Sequence, residues 1–180
     1  LRARAIEAIG GVAQACGLEA FAPYLDAVMT NAFEGLKLEF CRLREHTYSF
    51  FGRVATLMGQ EFGKYVDDVL PILYAICKAP DMAVFTGDVF VDTGDDDYDD
   101  DFEVPQDAQD EKGSAAYCIG VIATAMGPAF LPFVQDSFSA LETLLQYDNE
   151  DVRASVVTAM SEVARVVPAT LEWRYSVGLP

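Results

Sequence analysis

Apolar residues recur at helical spacing through most of this chain. In the stretch that opens at Leu43, residues Leu43, Thr47, Phe50, Phe51, Val54, Leu57 and Met58 lie mostly three and four apart, as along one face of an α-helix. No segment sustains the apolar–polar alternation of a strand. The pattern predicts helices over 1–16, 22–38, 41–58, 63–78, 108–126, 130–146 and 151–166. Gly17, Gly59 and Gly127 follow helices, where a left-handed C-terminal residue is expected. Pro23 and Pro132 fall at the start of the next helix, where a missing N–H costs little. Pro168 closes the last helix, and residues 168–180 read as a tail or as the start of a further unit.

The helices repeat. From Leu1 the chain reads Leu-Arg-x-x-Ala-x-x-x-Ile-Gly-x-Val-Ala-x-x-x-Gly, and from Leu43 Leu-Arg-x-x-Thr-x-x-x-Phe-Gly-x-Val-Ala-x-x-x-Gly. Gly10 thus matches Gly52, a spacing of 42. A third copy runs from Lys112 through Gly120 and Ala123 to Gly127, and a fourth from Arg153 through Ser161 to Ala164. Each of the first three copies is followed by a second signature: Phe21-Ala-Pro-Tyr-Leu25, Phe62-Gly-Lys-Tyr-Val66 and Phe130-Leu-Pro-Phe-Val134. Two antiparallel helices per unit of about 40 residues match the HEAT/armadillo length class. The fold class expected is therefore all-α, a HEAT-repeat α-solenoid of about four repeats over 1–167. Glycine in mid-helix costs about 1 kcal/mol, so Gly10, Gly52 and Gly120 call for a packing reason, the close approach of neighbouring helices. The chain opens at Leu1 inside a helical pattern, which suggests a piece of a longer protein. With no partner before it, the first helix is expected to expose an apolar flank between Leu1 and Ala13.

One spacing breaks the period. Gly52 to Gly120 is 68 residues, an excess of 26, and the interval from Tyr65 to Lys112 is 27 longer than that from Tyr24 to Arg44. Both comparisons place an insert at about 81–107, within one repeat. It holds eleven carboxylates and no Lys or Arg. The chain as a whole has net charge −17; without those eleven acids it keeps 18 acids against 12 bases, or −6. A like-charged block of this kind is ordinarily a solvated interaction segment. Its field favours basic proteins and disfavours nucleic acid, which needs Lys/Arg to neutralise phosphates, and anionic membrane.

The densest part, Asp95, Asp96, Asp97, Tyr98, Asp99, Asp100, Asp101, Phe102 and Glu103, is the first candidate for binding Lys/Arg-rich proteins. Its aromatic residues can dock on a surface or stack on an arginine. Glu45, Glu150 and Glu162 could add acidic contacts from the helices themselves. A simple solubilising loop is the competing reading. A calcium loop fails: with Asp95, Asp97 and Asp99 at positions 1, 3 and 5, position 6 is Asp100 and position 12 is Gln106, where Gly and Glu are needed. His46 is the lone histidine and has no ligand spacing around it. No nucleophile elbow, phosphate loop or zinc motif occurs, so no enzyme, metal or cofactor is expected. Arg2, Arg44, Lys112 and Arg153 share one repeat position and should tie repeats together through carboxylates or helix-end carbonyls. Cys16, Cys41, Cys77 and Cys118 lie in apolar patterns and read as reduced core thiols. The most apolar run, Val121 to Val134, is interrupted by Gly127, Pro128 and Pro132 and is too short to span a bilayer.

The phrases Leu43-Arg-Glu-His-Thr-Tyr-Ser-Phe-Phe-Gly52, Asp110-Glu-Lys-Gly-Ser-Ala-Ala-Tyr-Cys-Ile-Gly120 and Phe130-Leu-Pro-Phe-Val134 resemble HEAT repeats of the importin-β (karyopherin-β) family, most of all those of the importin 4 and importin 5 type. The resemblance runs from Leu1 to Val167 and would cover about a fifth of such a receptor. It implies nuclear import: basic cargo (histones, ribosomal proteins, nuclear-localisation peptides) held on a concave face, release by Ran-GTP, contact with nucleoporin FG repeats, and shuttling between cytoplasm and nucleus. It also implies that the helices beginning near Leu1, Leu43, Gln109 and Asp151 line the concave side. A HEAT-repeat scaffold of a multiprotein complex is the alternative.

Overall fold

The computed structural model describes residues 1–38, 40–80 and 106–167. Its helices are α1 (Arg2–Leu36), α2 (Cys41–Met58), α3 (Gly63–Lys78), α4 (Gln106–Met126), α5 (Val134–Glu142) and α6 (Glu150–Val166), with 3-10 turns at Gly59–Phe62 and Gly127–Phe133. The fold is all-α, a HEAT-like stack of helix pairs in two layers. One layer holds residues 2–16, α2, α4 and α6; the other holds residues 18–36, α3 and α5.

Several boundaries depart from those the periodicity suggests. Residues 1–16 and 22–38 do not form two helices joined by a loop. They run on as α1, broken at the single residue Gly17, whose φ of 79° and ψ of 169° lie outside the left-handed helical region expected of a helix cap. This extended positive-φ geometry is open essentially to glycine alone, and it reverses the chain with no linker. The expected helix 130–146 is shorter, because prolines at 128 and 132 favour the tighter 3-10 turn, leaving nine residues to α5. Gly127, at φ 54°, breaks the apolar run 106–142, which by hydropathy and length could otherwise cross a bilayer. Here α4 is instead the middle of the packed stack, with Ile119, Ile122 and Ala123 fully buried.

The repeated glycines occupy like positions. A methyl added at Gly10 would meet Arg53 Cδ at 3.0 Å; at Gly52, Val121 Cγ1 at 3.3 Å; at Gly120, the Ala159 Cα at 2.8 Å and Glu162 Cβ at 3.5 Å. Arg53, Val121 and Glu162 each follow the equivalent small residue of the next repeat, so one rule of contact runs down the layer. The other layer is tied by polar contacts: Tyr65 O–H donates to Asp26 at 2.6 Å, Tyr74 and Ser137 hydroxyls meet at 2.7 Å, and Thr143 O–H donates to the Cys77 carbonyl at 3.0 Å.

The basic position does what its recurrence implies. Arg44 Nη1 reaches the Leu38 carbonyl at 3.4 Å, Lys112 Nζ the Ala79 carbonyl at 2.5 Å, and Arg153 Nη1 the Tyr147 and Asp148 carbonyls at 2.5 and 2.7 Å. Arg44 and Arg153 close the turns that lead into their own helices, and Lys112 reaches the C-terminal end of α3. Arg2 differs, being exposed at the free end of the stack. That end shows the expected flank in part: Leu1, Ala5, Ala8 and Val12 are exposed, whereas Ile6, Gly10 and Ala13 are buried against the next helices.

Cys77 and Cys118 are buried and Cys41 half-buried, but Cys16 is exposed and is not a core thiol. It lies near the end of the first helical stretch, just before Gly17. Desolvation pushes both buried thiols up to about 12 from an ordinary 9.0. The folded chain therefore keeps protons that the unfolded chain releases above pH 9. This stabilisation is fully present below pH 9 and is lost as pH rises toward 12, by up to about 1.4 kcal/mol per pH unit for each thiol. Denaturation midpoints are accordingly expected to fall from pH 8 to pH 10.5, and a thiol reagent at pH 8 should label Cys16 and spare Cys77 and Cys118. A flat midpoint over that range would contradict their desolvation.

A candidate binding groove on the layer of α2, α4 and α6

The layer formed by residues 2–16, α2, α4 and α6 carries two adjoining grooves, of about 630 Å³ and about 470 Å³. They form because the helices approach at their glycines, while the next turns outward carry small polar side chains. Ser49, Gly113, Ser114 and Ser155 line the larger groove. Thr56, Tyr117 and Val121 line both, so Tyr117 stands at the divide. The residue is 57% exposed, unusual for an aromatic at the centre of a helix layer.

Charges in the larger groove are unevenly engaged. Toward the first helix, Glu7 accepts from Arg4 Nη1 at 2.8 Å, and that hydrogen bond holds its carboxyl below the usual range. His46 Nδ1 lies 3.9 Å from the same carboxylate, and Arg53 Nη1 donates to Gln14 at 3.2 Å. In the second groove Glu162 accepts from the Thr124 hydroxyl at 2.8 Å and pairs with Arg165 at 3.1 Å.

Beneath the groove lies a buried polar knot. Glu111, fully buried on α4, takes Arg44 Nε at 2.6 Å, Arg44 Nη2 at 2.9 Å and Tyr48 O–H at 3.0 Å. The Glu111 hydrogen bonds raise the Arg44 guanidinium above its usual value, and desolvation raises the Tyr48 phenol well above its own. Both partners thus hold the charge states the geometry requires. The next residue, Lys112, reaches across to Ala79, and its Nζ lies 5.3 Å from the centre of the Tyr147 ring. Lys112 thus ties α4 to the C-terminal end of α3.

Of the sequence candidates, Asp95, Asp96, Asp97, Tyr98, Asp99, Asp100, Asp101, Phe102 and Glu103 lie outside the described residues. Glu45 lines the larger groove and Glu162 the smaller one. Glu150 lines neither; it is exposed in the first turn of α6, beside the helix cap that Asn149 makes by accepting from Asp151 N at 2.8 Å. Sequence reasoning missed Tyr117, which reads as one more apolar residue of a helix, and Glu111, which sits between two charged neighbours and reads as solvated.

No family model matches the chain. It is similar to a protein of Schizosaccharomyces pombe named probable importin subunit beta-4, with 23% identity over 177 residues. The similarity takes in 89% of this chain but only 17% of that relative's length.

Proposed function

We propose that this chain is part of a nuclear transport receptor of the importin-β type, and that its grooved layer carries basic protein cargo such as histones, ribosomal proteins or nuclear-localisation peptides. The observation that carries the reading is the placement of the acidic insert. It rejoins the fold at Gln106, seven residues before Gly113 of the larger groove, a distance of about 10 Å along a helix. Asp107, the last carboxylate of the insert, is exposed in the first turn of α4. A dense polyanion rooted beside a groove raises the local concentration of Lys/Arg-rich segments and speeds their encounter. In the whole receptor, Ran-GTP displaces the cargo, nucleoporin FG repeats are the partners in transit, and the protein shuttles between cytoplasm and nucleus; similarity to the probable importin subunit supports this wider reading. The chain acts by binding and performs no catalysis.

The test is a titration with a histone H3 tail peptide across a salt series. Replacing the six aspartates between Asp95 and Asp101 by serine should weaken binding about tenfold or more at low salt and flatten its salt dependence, since exposed pairs contribute up to about 1 kcal/mol each and are screened. Equal affinity and equal salt slope would favour a scaffold with a solubilising loop.

A further inference from the structure

Among the described residues, the larger groove holds a carboxylate, Glu45, that nothing engages. Glu45 is half-buried and has no hydrogen bond or ion pair among the described residues, whereas Glu7 on the first helix accepts from Arg4, and His46 and Arg53 lie against Glu7 and Gln14 of that helix. On α2, Glu45 stands three and seven residues before Tyr48 and Gly52, the residues that touch α4 through Glu111, Cys118 and Val121. It is thus turned toward the α4 side of the groove. On α4, Tyr117 shares a helix face with Ser114 and Val121 and is exposed to the groove. Small residues, among them Ser49, Gly113 and Ser114, line the same groove.

We infer that Glu45 and Tyr117 form a socket for a single cationic side chain of an extended partner, arginine in preference to lysine. A planar guanidinium can lie on the tyrosine face while donating in pairs to the carboxylate, whereas an ammonium offers only a point charge. The small residues of the groove leave room for the aliphatic stem, and the paired charges along the first helix leave Glu45 as an uncompensated anion of the groove among the described residues. This rests on the cargo reading above and gives it a defined anchor separate from the insert.

The full chain with the six insert aspartates replaced by serine isolates the socket. A tetra-arginine peptide should still bind this protein, and more tightly than tetra-lysine does. Glu45→Gln and Tyr117→Ala should each reduce its affinity about tenfold, with Tyr117→Phe close to the parent, as expected for a charge-assisted contact and a stacking surface. Both side chains face the groove, so unchanged thermal midpoints would confirm intact folding. If both variants bind tetra-arginine as the parent does, or if the insert-neutralised protein binds none while the wild type does, the socket is wrong and the cargo reading survives through the insert alone. Absence of binding to the wild-type chain would overturn both.

Discussion

Replacing Glu111 by alanine is expected to cost about 3–5 kcal/mol of stability, the usual range for stranding one partner of a buried ion pair. The carboxylate is wholly shielded from solvent and takes three donors from α2, so its loss leaves the largely buried Arg44 charge without its counter-ion and the Tyr48 hydroxyl without its acceptor. Glu111→Gln should cost less, because the amide oxygen can still accept one bond. The double replacement Glu111→Leu with Arg44→Met should recover most of the loss, since the desolvation of both ions disappears with them. Denaturant unfolding of the two single mutants and the double mutant measures this, and coupling above about 1 kcal/mol is expected. A single-mutant cost below that would place the pair with ordinary surface bridges. The effect should reach the insert, because Glu111 and Lys112 fix the helix into which the insert leads.

How far the sequence discloses this arrangement depends on the range of the interactions. The repeat period, the layering and the use of Gly10, Gly52 and Gly120 are set by spacing alone, and spacing is written in the chain. The basic position at Arg44, Lys112 and Arg153 is also readable, since each reaches a carbonyl at or just past the end of the preceding helix. Glu111 is not: its partner lies 67 residues away, and only tertiary packing removes it from water between the solvated-looking Asp110 and Lys112. Gly17 was recognisable as a stop, but its ψ, and hence the absence of a linker, follows from how two helices dock rather than from the residue. The same holds for the site. Glu45 and Glu162 could be named as acids on outward faces, yet among the described residues Glu45 is unpaired and Glu162 engaged, a difference made by Thr124 and Arg165. Tyr117 carries no local mark at all, because aromatic residues at helical spacing are ordinarily core, and here the small residues around it leave the ring in the open.

Among the ladder glycines, Gly120 should be by far the least tolerant of a side chain. A methyl there would stand 2.8 Å from the Ala159 Cα and 3.2 Å from its Cβ, and a backbone atom cannot turn aside as a side chain can. At Gly52 the obstacle is a valine methyl, and at Gly10 the flexible shaft of Arg53. Alanine gains about 1 kcal/mol of helix propensity at all three positions, against overpacking of typically 1–3 kcal/mol where nothing can yield. Gly10→Ala is therefore expected to be neutral or stabilising, Gly52→Ala close to neutral, and Gly120→Ala destabilising by about 1–2 kcal/mol; Gly120→Val should exceed about 3 kcal/mol, since valine adds a second clash and loses rotamer freedom. Urea unfolding of the four variants gives the order directly. The structural reading is sharper still: α6 can accommodate a residue at 120 only by moving off α4, which would separate Thr124 from Glu162, now 2.8 Å apart, and widen the second groove. Equal stabilities for Gly10→Ala and Gly120→Ala would mean that the helices do not meet as closely as the glycines imply, and the groove shape derived from that approach would fall with it.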